Sequence, residues 1–426
     1  MNGNSVRLAL FLTATTTALT ACGGETAESP TSESPPPTTV IDEAPTPESV
    51  ESVTTVPETT TTTTTLPPGL LPVPADDPLP PVSRLENVSV TLTPVADITL
   101  ALGMAWSEIE GYFYIITQPG QVYRADRDFT TTELVLDLTN EVSPFIYGSE
   151  RGMLGVAVNP IDGRLFLNFT DLDYNSNIVS YALNDGVPDP DSRRQVLFVE
   201  QPGVSHKAGM LFFDDEGSLF VSFGDGGNNK GRTSQDYTSL LGGILKIVPN
   251  PDSDGYSIPE DNPFVGDAFI RPEIYVKGLR QPHRFAYNRA NGDIYVGDVG
   301  ENSFEELNYL PAGTSGVNFG WPFMEGFGKR LSGGDHEFTP PIYQFAHPSW
   351  VALIAGYVYH GDKIPDLTGA LLFGDMTGKI SALGADGIAA LPISETGNIL
   401  TSFAEGPDGE IYTLSLDQGV KRIDPA

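Results

Sequence analysis

Six times between Ser107 and Ser415 the chain repeats one short pattern: a polar turn containing Gly, then an apolar, β-rich run. The six segments are Ser107–Ile116, Asn159–Asn168, Asp214–Phe223, Asn288–Gly297, Pro365–Gly374 and Gly406–Ser415. Each reads as a tight turn feeding a strand that is buried on both faces. Residues 84–426 show no long amphipathic helical period. Recurrent hairpin units without helices indicate small sheets repeated around an axis, an all-β six-bladed β-propeller. A sandwich or two β domains would also contain Gly turns. The repeated D-x-x-G-type turn before each apolar run favours the propeller. Spacing between the units is uneven, and the longest insertions fall at 224–280 and 298–354. Long propeller loops gather at one face of the central channel, so these insertions are the place to look for a site.

The first 83 residues carry none of this pattern. Residues 1–22 have a short polar start with Arg7, an apolar stretch from Leu8 to Leu19, and small residues leading to Cys22. The apolar stretch is too short for a membrane helix, which needs about 20 residues. It reads as a secretory signal peptide. Its end resembles the lipobox of bacterial lipoproteins, in which the Cys becomes a lipidated first residue. A plain signal peptide with an incidental Cys is the other reading. Cys22 is the chain's only cysteine and stands at the one position a lipobox requires. We therefore expect lipidation at Cys22 and an extracytoplasmic, membrane-anchored or secreted protein. Residues 23–83 hold ten acidic residues, fourteen Pro and fourteen Thr, with no aromatic, Lys or Arg. Such a stretch cannot bury enough apolar surface to offset its ordering entropy, so it is expected to be a disordered tether.

Across 426 residues, 56 acidic and 23 basic side chains leave a formal charge of −33. A phosphate-binding surface needs the opposite sign, so nucleic acid is excluded as a first expectation. A single Cys excludes a disulfide framework and Cys-built metal sites. No H-x-x-H pair, G-x-S-x-G elbow or nucleotide-binding glycine motif is present. What remains is polar residues at expected strand ends. His206 precedes one blade strand and Asp225 follows its neighbour, a separation that can bring carboxylate and imidazole together as an oriented general base. The same pair also fits a turn cap beside a packed histidine. Arg280-Gln281 before Pro282 places bidentate donors in a loop, or forms a surface ion pair. Asp298–Glu306 mixes carboxylates and loop carbonyls of the kind Ca²⁺ takes. It also fits a solvated acidic loop.

Together these segments resemble the glucose/sorbosone dehydrogenase family, the PQQ-dependent aldose sugar dehydrogenases. The resemblance rests on Gly148–Pro160, Ser205–Leu211, Gly224–Gly227, Ser239–Lys246, Lys277–Phe285, Gly297–Asn302, Asn318–Pro322 and Gly356–Gly361, in the family's order. It implies a six-bladed propeller over 84–426. It also implies His206 as general base for a sugar's anomeric hydroxyl and Asp225 as its supporting carboxylate. Glu150, Arg280 and Gln281 would line the PQQ and substrate site, with Gln281 where Asn is usual. Backbone carbonyls of Gly300 and Glu301 would hold a Ca²⁺ under PQQ, and Glu306 a structural Ca²⁺. One branch places a Lys where this chain has His360 and an arginine pair where it has Asp375–Lys379. His360 and Lys379 are thus the corresponding cofactor-side candidates. The implied partners are a small sugar and an unidentified electron acceptor. Relatives that use the propeller only for binding supply the alternative, a non-catalytic extracellular module. A lactonase-type hydrolase is a third reading.

Overall fold

The computed structural model describes residues 85, 88–334, 337–385, 387 and 389–426. The expected signal segment, Cys22 and the tether lie outside the described residues. Five four-stranded antiparallel sheets and one five-stranded sheet, the third, which adds the short strand Tyr256–Ser257, form a six-bladed propeller. Blade 1 is Ala101–Ser107, Tyr112–Thr117, Gln121–Asp126 and Thr132–Asp137; blade 2 is Met153–Val158, Leu165–Thr170, Ser176–Tyr181 and Arg194–Val199. Blade 3 is Leu211–Phe213, Leu219–Phe223, Gly243–Pro249 and Ile274–Lys277; blade 4 is Arg284–Tyr287, Ile294–Asp298, Phe304–Leu310 and Tyr343–Ala346. Blade 5 is Leu353–Val358, Leu371–Asp375, Lys379–Leu383 and Ala389–Glu395. Blade 6 takes Leu400–Glu405, Ile411–Ser415 and Gly419–Pro425, and completes itself with Val90–Ala96 from the start of the domain. That strand pairs from Val90 opposite Pro425 to Ala96 opposite Val420, with a one-residue register shift between Pro94 and Ala96, and fastens the two ends of the ring.

The apolar runs read from the sequence are the second strands of the blades. Leu165–Thr170, Leu219–Phe223, Leu371–Asp375 and Ile411–Ser415 are buried at every position. A strand covered on both faces has no use for polar alternation. The turn glycines Gly111, Gly163, Gly217, Gly292, Gly369 and Gly409 all have φ between 72° and 85°. That left-handed conformation costs a side-chain-bearing residue about 1–2 kcal/mol, which explains the recurrence of Gly at this point. These turns join first to second strands, so all six lie at one end of the propeller, the turn end. The other end, the loop end, carries the segments that enter first strands and leave second strands.

Packing closes the ring. Among the described residues, the buried apolar side chains form six clusters, and each is shared by two adjacent blades, including blade 6 with blade 1. The core therefore lies between blades, and each sheet buries both faces. One buried cation is built into blade 3. Lys277 is 1% exposed and its Nζ donates to the carbonyls of Thr233, Ser239 and Leu241 at 3.2, 3.2 and 2.6 Å. Burial pushes its pKa down to about 7. At pH 6 the ammonium can serve all three acceptors. Lys277→Met should strip these carbonyls of their donor, each unpaired buried group costing about 1–3 kcal/mol. The melting temperature at pH 6 should fall by several degrees; an unchanged value would show that the loop re-pairs its carbonyls by itself.

Candidate active site

The loop entering blade 3 turns sharply. His206 and Ala208 have φ of 55° and 51°, a conformation that non-glycine residues adopt only when their surroundings impose it. Three side chains impose it. The Glu150 carboxylate accepts from the His206 backbone N–H. Gln281 accepts from the Ala208 N–H at 3.0 Å and donates to Glu150 at 3.0 Å. Lys207, fully buried, donates to the carbonyls of Gly203 and Tyr174 at 2.5 and 3.0 Å. Burial pushes the Lys207 ammonium down to about 8.

So held, His206 presents its ring to Asp225. His206 Nδ1 lies 2.6 Å from Asp225 Oδ1, and Asp225 is 1% exposed while the His206 side chain is 15% exposed. The carboxylate has no freedom to rotate away. Oδ1 also accepts from the Gly227 N–H at 2.7 Å, and Oδ2 from the Trp321 indole N–H at 2.8 Å. A carboxylate on Nδ1 fixes the tautomer with Nε2 free to accept a proton. The geometry is that of an oriented general base. Gly224 is required where blade 3 meets this loop, since a Cβ there would stand 2.2 Å from the His206 carbonyl oxygen.

The adjacent loop into blade 4 is organised by Asp298. This buried carboxylate accepts from the Arg280 N–H at 2.8 Å and the Gln281 N–H at 2.6 Å. Burial pushes its pKa up to about 7, against the pull of those two N–H groups. The Arg280 guanidinium lies 5.5 Å from the Trp321 ring centroid, and Arg330 lies 4.4 Å from it. Arg280 donates through NH1 to the Val299 carbonyl at 2.9 Å, while its buried Nε has no partner among the described residues.

The residues expected from sequence divide into two sets. His206, Asp225, Glu150, Arg280 and Gln281 are brought together at the loop end, joined by the contacts above. Gly300 and Glu301 stand beside them, on the turn leaving the second strand of blade 4. Glu325 organises that turn by accepting from the N–H groups of Glu301, Asn302 and Ser303, each at 2.9 Å. The Glu301 side chain pairs with Arg330, Oε2 to Nε 2.7 Å. Glu306 is buried against the Gly326 N–H at 2.5 Å, and burial with the Asp298 charge pushes it up to about 8. Among the described residues no three His, Cys, Asp or Glu side chains are grouped as metal ligands. A cation on the 300–301 turn would therefore rely on backbone carbonyls.

Two expected cofactor-side residues are not brought to this set. His360 follows the first strand of blade 5 and so lies at the turn end, with Nε2 3.2 Å from Asn288 Oδ1. The chain's strand order overrides its resemblance-based placement. Lys379 is at the loop end but its ammonium is spent on the Ser349 carbonyl and the Trp350 ring, 5.3 Å to the centroid. Trp321 and Lys207 were given no role from sequence, although the stretches Asn318–Pro322 and Ser205–Leu211 contain them, and Asp298 was read only as part of an oxygen-rich loop, not as the carboxylate that holds the Arg280 and Gln281 N–H groups.

With this geometry in place, comparisons with known proteins fall in line. A family model described as Glucose / Sorbosone dehydrogenase matches residues 101–421. Human Hedgehog-interacting protein is 26% identical over 346 residues, 74% of this chain and 47% of that protein. This chain thus spans about half the length of that relative. The aldose sugar dehydrogenase YliI of Escherichia coli K12 is 27% identical over 294 residues, 62% of this chain and 74% of that enzyme. A solved structure of the PQQ-bound aldose sugar dehydrogenase of Streptomyces coelicolor superposes with a TM-score of 0.62 at 20% identity, over 79% of this chain and 98% of that one. At that identity the likeness speaks for the fold.

Proposed function

Because the chain belongs to the glucose/sorbosone dehydrogenase family, we propose that it oxidises an aldose or related sugar to its lactone with PQQ as acceptor and Ca²⁺ as its companion ion. The observation that carries this reading is the His206–Asp225 pair, 2.6 Å apart at the loop end, with the Arg280 guanidinium on the neighbouring loop. PQQ supplies the acceptor for the two electrons that leave the sugar as hydride. The chain supplies the proton chemistry. His206 Nε2 takes the proton of the anomeric hydroxyl, and Asp225 stabilises the imidazolium that results. Trp321 and Gly227 keep Asp225 from turning away. Arg280 is the residue that would hold a PQQ carboxylate, with Gln281 and Glu150 bracing the base. Carbonyls of Gly300 and Glu301 would take Ca²⁺, with Glu306 serving a structural ion.

The placement of two expected cations supports a second reading. His360 lies at the turn end and Lys379 is turned to Trp350, so neither is presented to a cofactor beside His206. Human Hedgehog-interacting protein is similar in sequence to 74% of this chain, and a non-catalytic binding role fits a site of weak cofactor affinity. Reconstitution decides between them. The purified protein with PQQ and Ca²⁺ should shift the quinone absorbance, bleach it on adding an aldose, and then reduce a dye acceptor continuously. Absence of any PQQ binding would transfer the assignment to the binding module.

A further inference from the structure

The loop that leaves the second strand of blade 3 carries Asp225 at its start and Lys230 and Arg232 a few residues on. Its backbone is unusual. Asn229 and Lys230 have φ of 49° and 54°, followed by Gly231 at 78°. Two adjacent side-chain-bearing residues in the left-handed region strain the chain, where glycines would adopt the same conformation freely. Hydrogen bonds hold the loop in this shape. The Gly231 N–H donates to the Asn228 carbonyl at 3.0 Å, and Asn228 Nδ2 donates to the Pro202 carbonyl at 3.3 Å, in the loop that carries His206. Gly231 itself is buried, and a Cβ built on it would stand 2.9 Å from Asp225 Oδ2, so the loop passes against the catalytic carboxylate. A lysine kept where a glycine is easier points to a use for its side chain.

Lys230 and Arg232 flank Gly231 and are both exposed, so this loop sets two cations at the mouth of the His206 site. The Arg232 guanidinium stands 5.7 Å from the Phe323 ring centroid, two residues from the Trp321 ring that Arg280 approaches. Among the described residues, none of Lys230, Arg232 and Arg280 pairs with a carboxylate. The carboxylates nearby are committed elsewhere. Glu150 serves the His206 N–H and Gln281, and Asp225 serves His206 and Trp321. Asp298 serves the N–H groups of Arg280 and Gln281, and Glu301 serves Arg330. In a chain of formal charge −33, three unpaired cations around one accessible imidazole make a local field that favours an anion.

Arg280 lies on the loop assigned to the cofactor, whereas Lys230 and Arg232 belong to the loop of the base's own carboxylate. We propose that the substrate is an aldose bearing an anionic group, carboxylate or phosphate, away from its anomeric carbon, and that Lys230 and Arg232 anchor that group. The proposal rests on the dehydrogenase reading and names its substrate class. The chemistry at the anomeric carbon is unchanged. Its O–H proton goes to His206 Nε2, its C–H bond breaks with the hydride reducing the quinone cofactor, and its C–O bond becomes the lactone carbonyl. The anionic group takes no part in these steps. It fixes the ring's orientation over the base through charge-assisted hydrogen bonds.

Calorimetric titration of the purified protein with glucuronate, glucose 6-phosphate and glucose tests this, first without cofactor and then with PQQ and Ca²⁺. At least one anionic sugar should bind about tenfold more tightly than glucose, and the tighter of the two names the group. Lys230→Gln and Arg232→Gln should each weaken that sugar about tenfold, the loss of one charge-assisted hydrogen bond, and leave glucose as it was. Lys363→Gln, which removes an exposed cation at the turn end, should change neither. Glucose binding as tightly as both anionic sugars, no saturable binding of any sugar, or anionic-sugar binding indifferent to both loop variants overturns the proposal. A protein that takes up no PQQ yet keeps the anionic preference would sink the dehydrogenase reading while upholding the anionic-sugar site.

Discussion

His206→Ala in the reconstituted protein should leave PQQ binding intact and lower turnover by about 10²–10⁴-fold, the usual contribution of a positioned general base. The two readouts separate because His206 reaches the cofactor site through its ring alone. Its backbone N–H, held by Glu150, and the neighbouring Ala208 N–H, held by Gln281, survive the substitution. The loop should therefore keep its shape. Asp225→Asn is the companion variant. It retains an acceptor on the imidazole but removes the charge that stabilises the protonated ring, so turnover should fall again with binding preserved. Absorbance titration of PQQ and steady-state dye reduction measure the two quantities. Turnover unaffected in His206→Ala would move the base elsewhere while leaving the dehydrogenase reading in place.

The blades were legible because their signal is local. A D-x-x-G-type turn needs a left-handed Gly, and a strand between two blades needs an unbroken apolar run; both leave marks within ten residues. Pairing of His206 with Asp225 was legible for the same reason, since one hairpin separates them. Contacts that close the site were not. Trp321 reaches Asp225 across 96 residues, and Gln281 reaches Glu150 across 131. No spacing rule encodes such distances. His360 shows the converse error: its place in a family-like stretch says nothing about which end of a strand it follows. Position within the blade, counted strand by strand, puts it at the turn end. The closing strand Val90–Ala96 was equally silent, because its partner Gly419–Pro425 lies at the far end of the sequence.

Gly231→Ala tests whether the indole is part of the catalytic array. Gly231 has φ 78°, and a Cβ there would stand 2.2 Å from Trp321 Nε1 and 2.9 Å from Asp225 Oδ2. The backbone penalty for a side chain in this conformation is about 1–2 kcal/mol, which a propeller sealed by six inter-blade clusters can absorb. The steric demand cannot be absorbed in place, since it falls on the very atoms that make the Trp321–Asp225 bond. The indole must withdraw. A hydrogen bond to a charged group is worth about 1.5–3 kcal/mol, so kcat should fall about tenfold to a hundredfold with the fold retained. Trp321→Phe provides the control, because it deletes the N–H without a clash. It should lower kcat to a similar degree and the melting temperature less. Both variants free Asp225 Oδ2, so apart from the imidazole only the Gly227 N–H still holds the carboxylate, which can then swing off Nδ1. If Trp321→Phe retained full kcat, the indole would be packing only, and the loss in Gly231→Ala would have to be assigned to backbone displacement of the Asp225 loop.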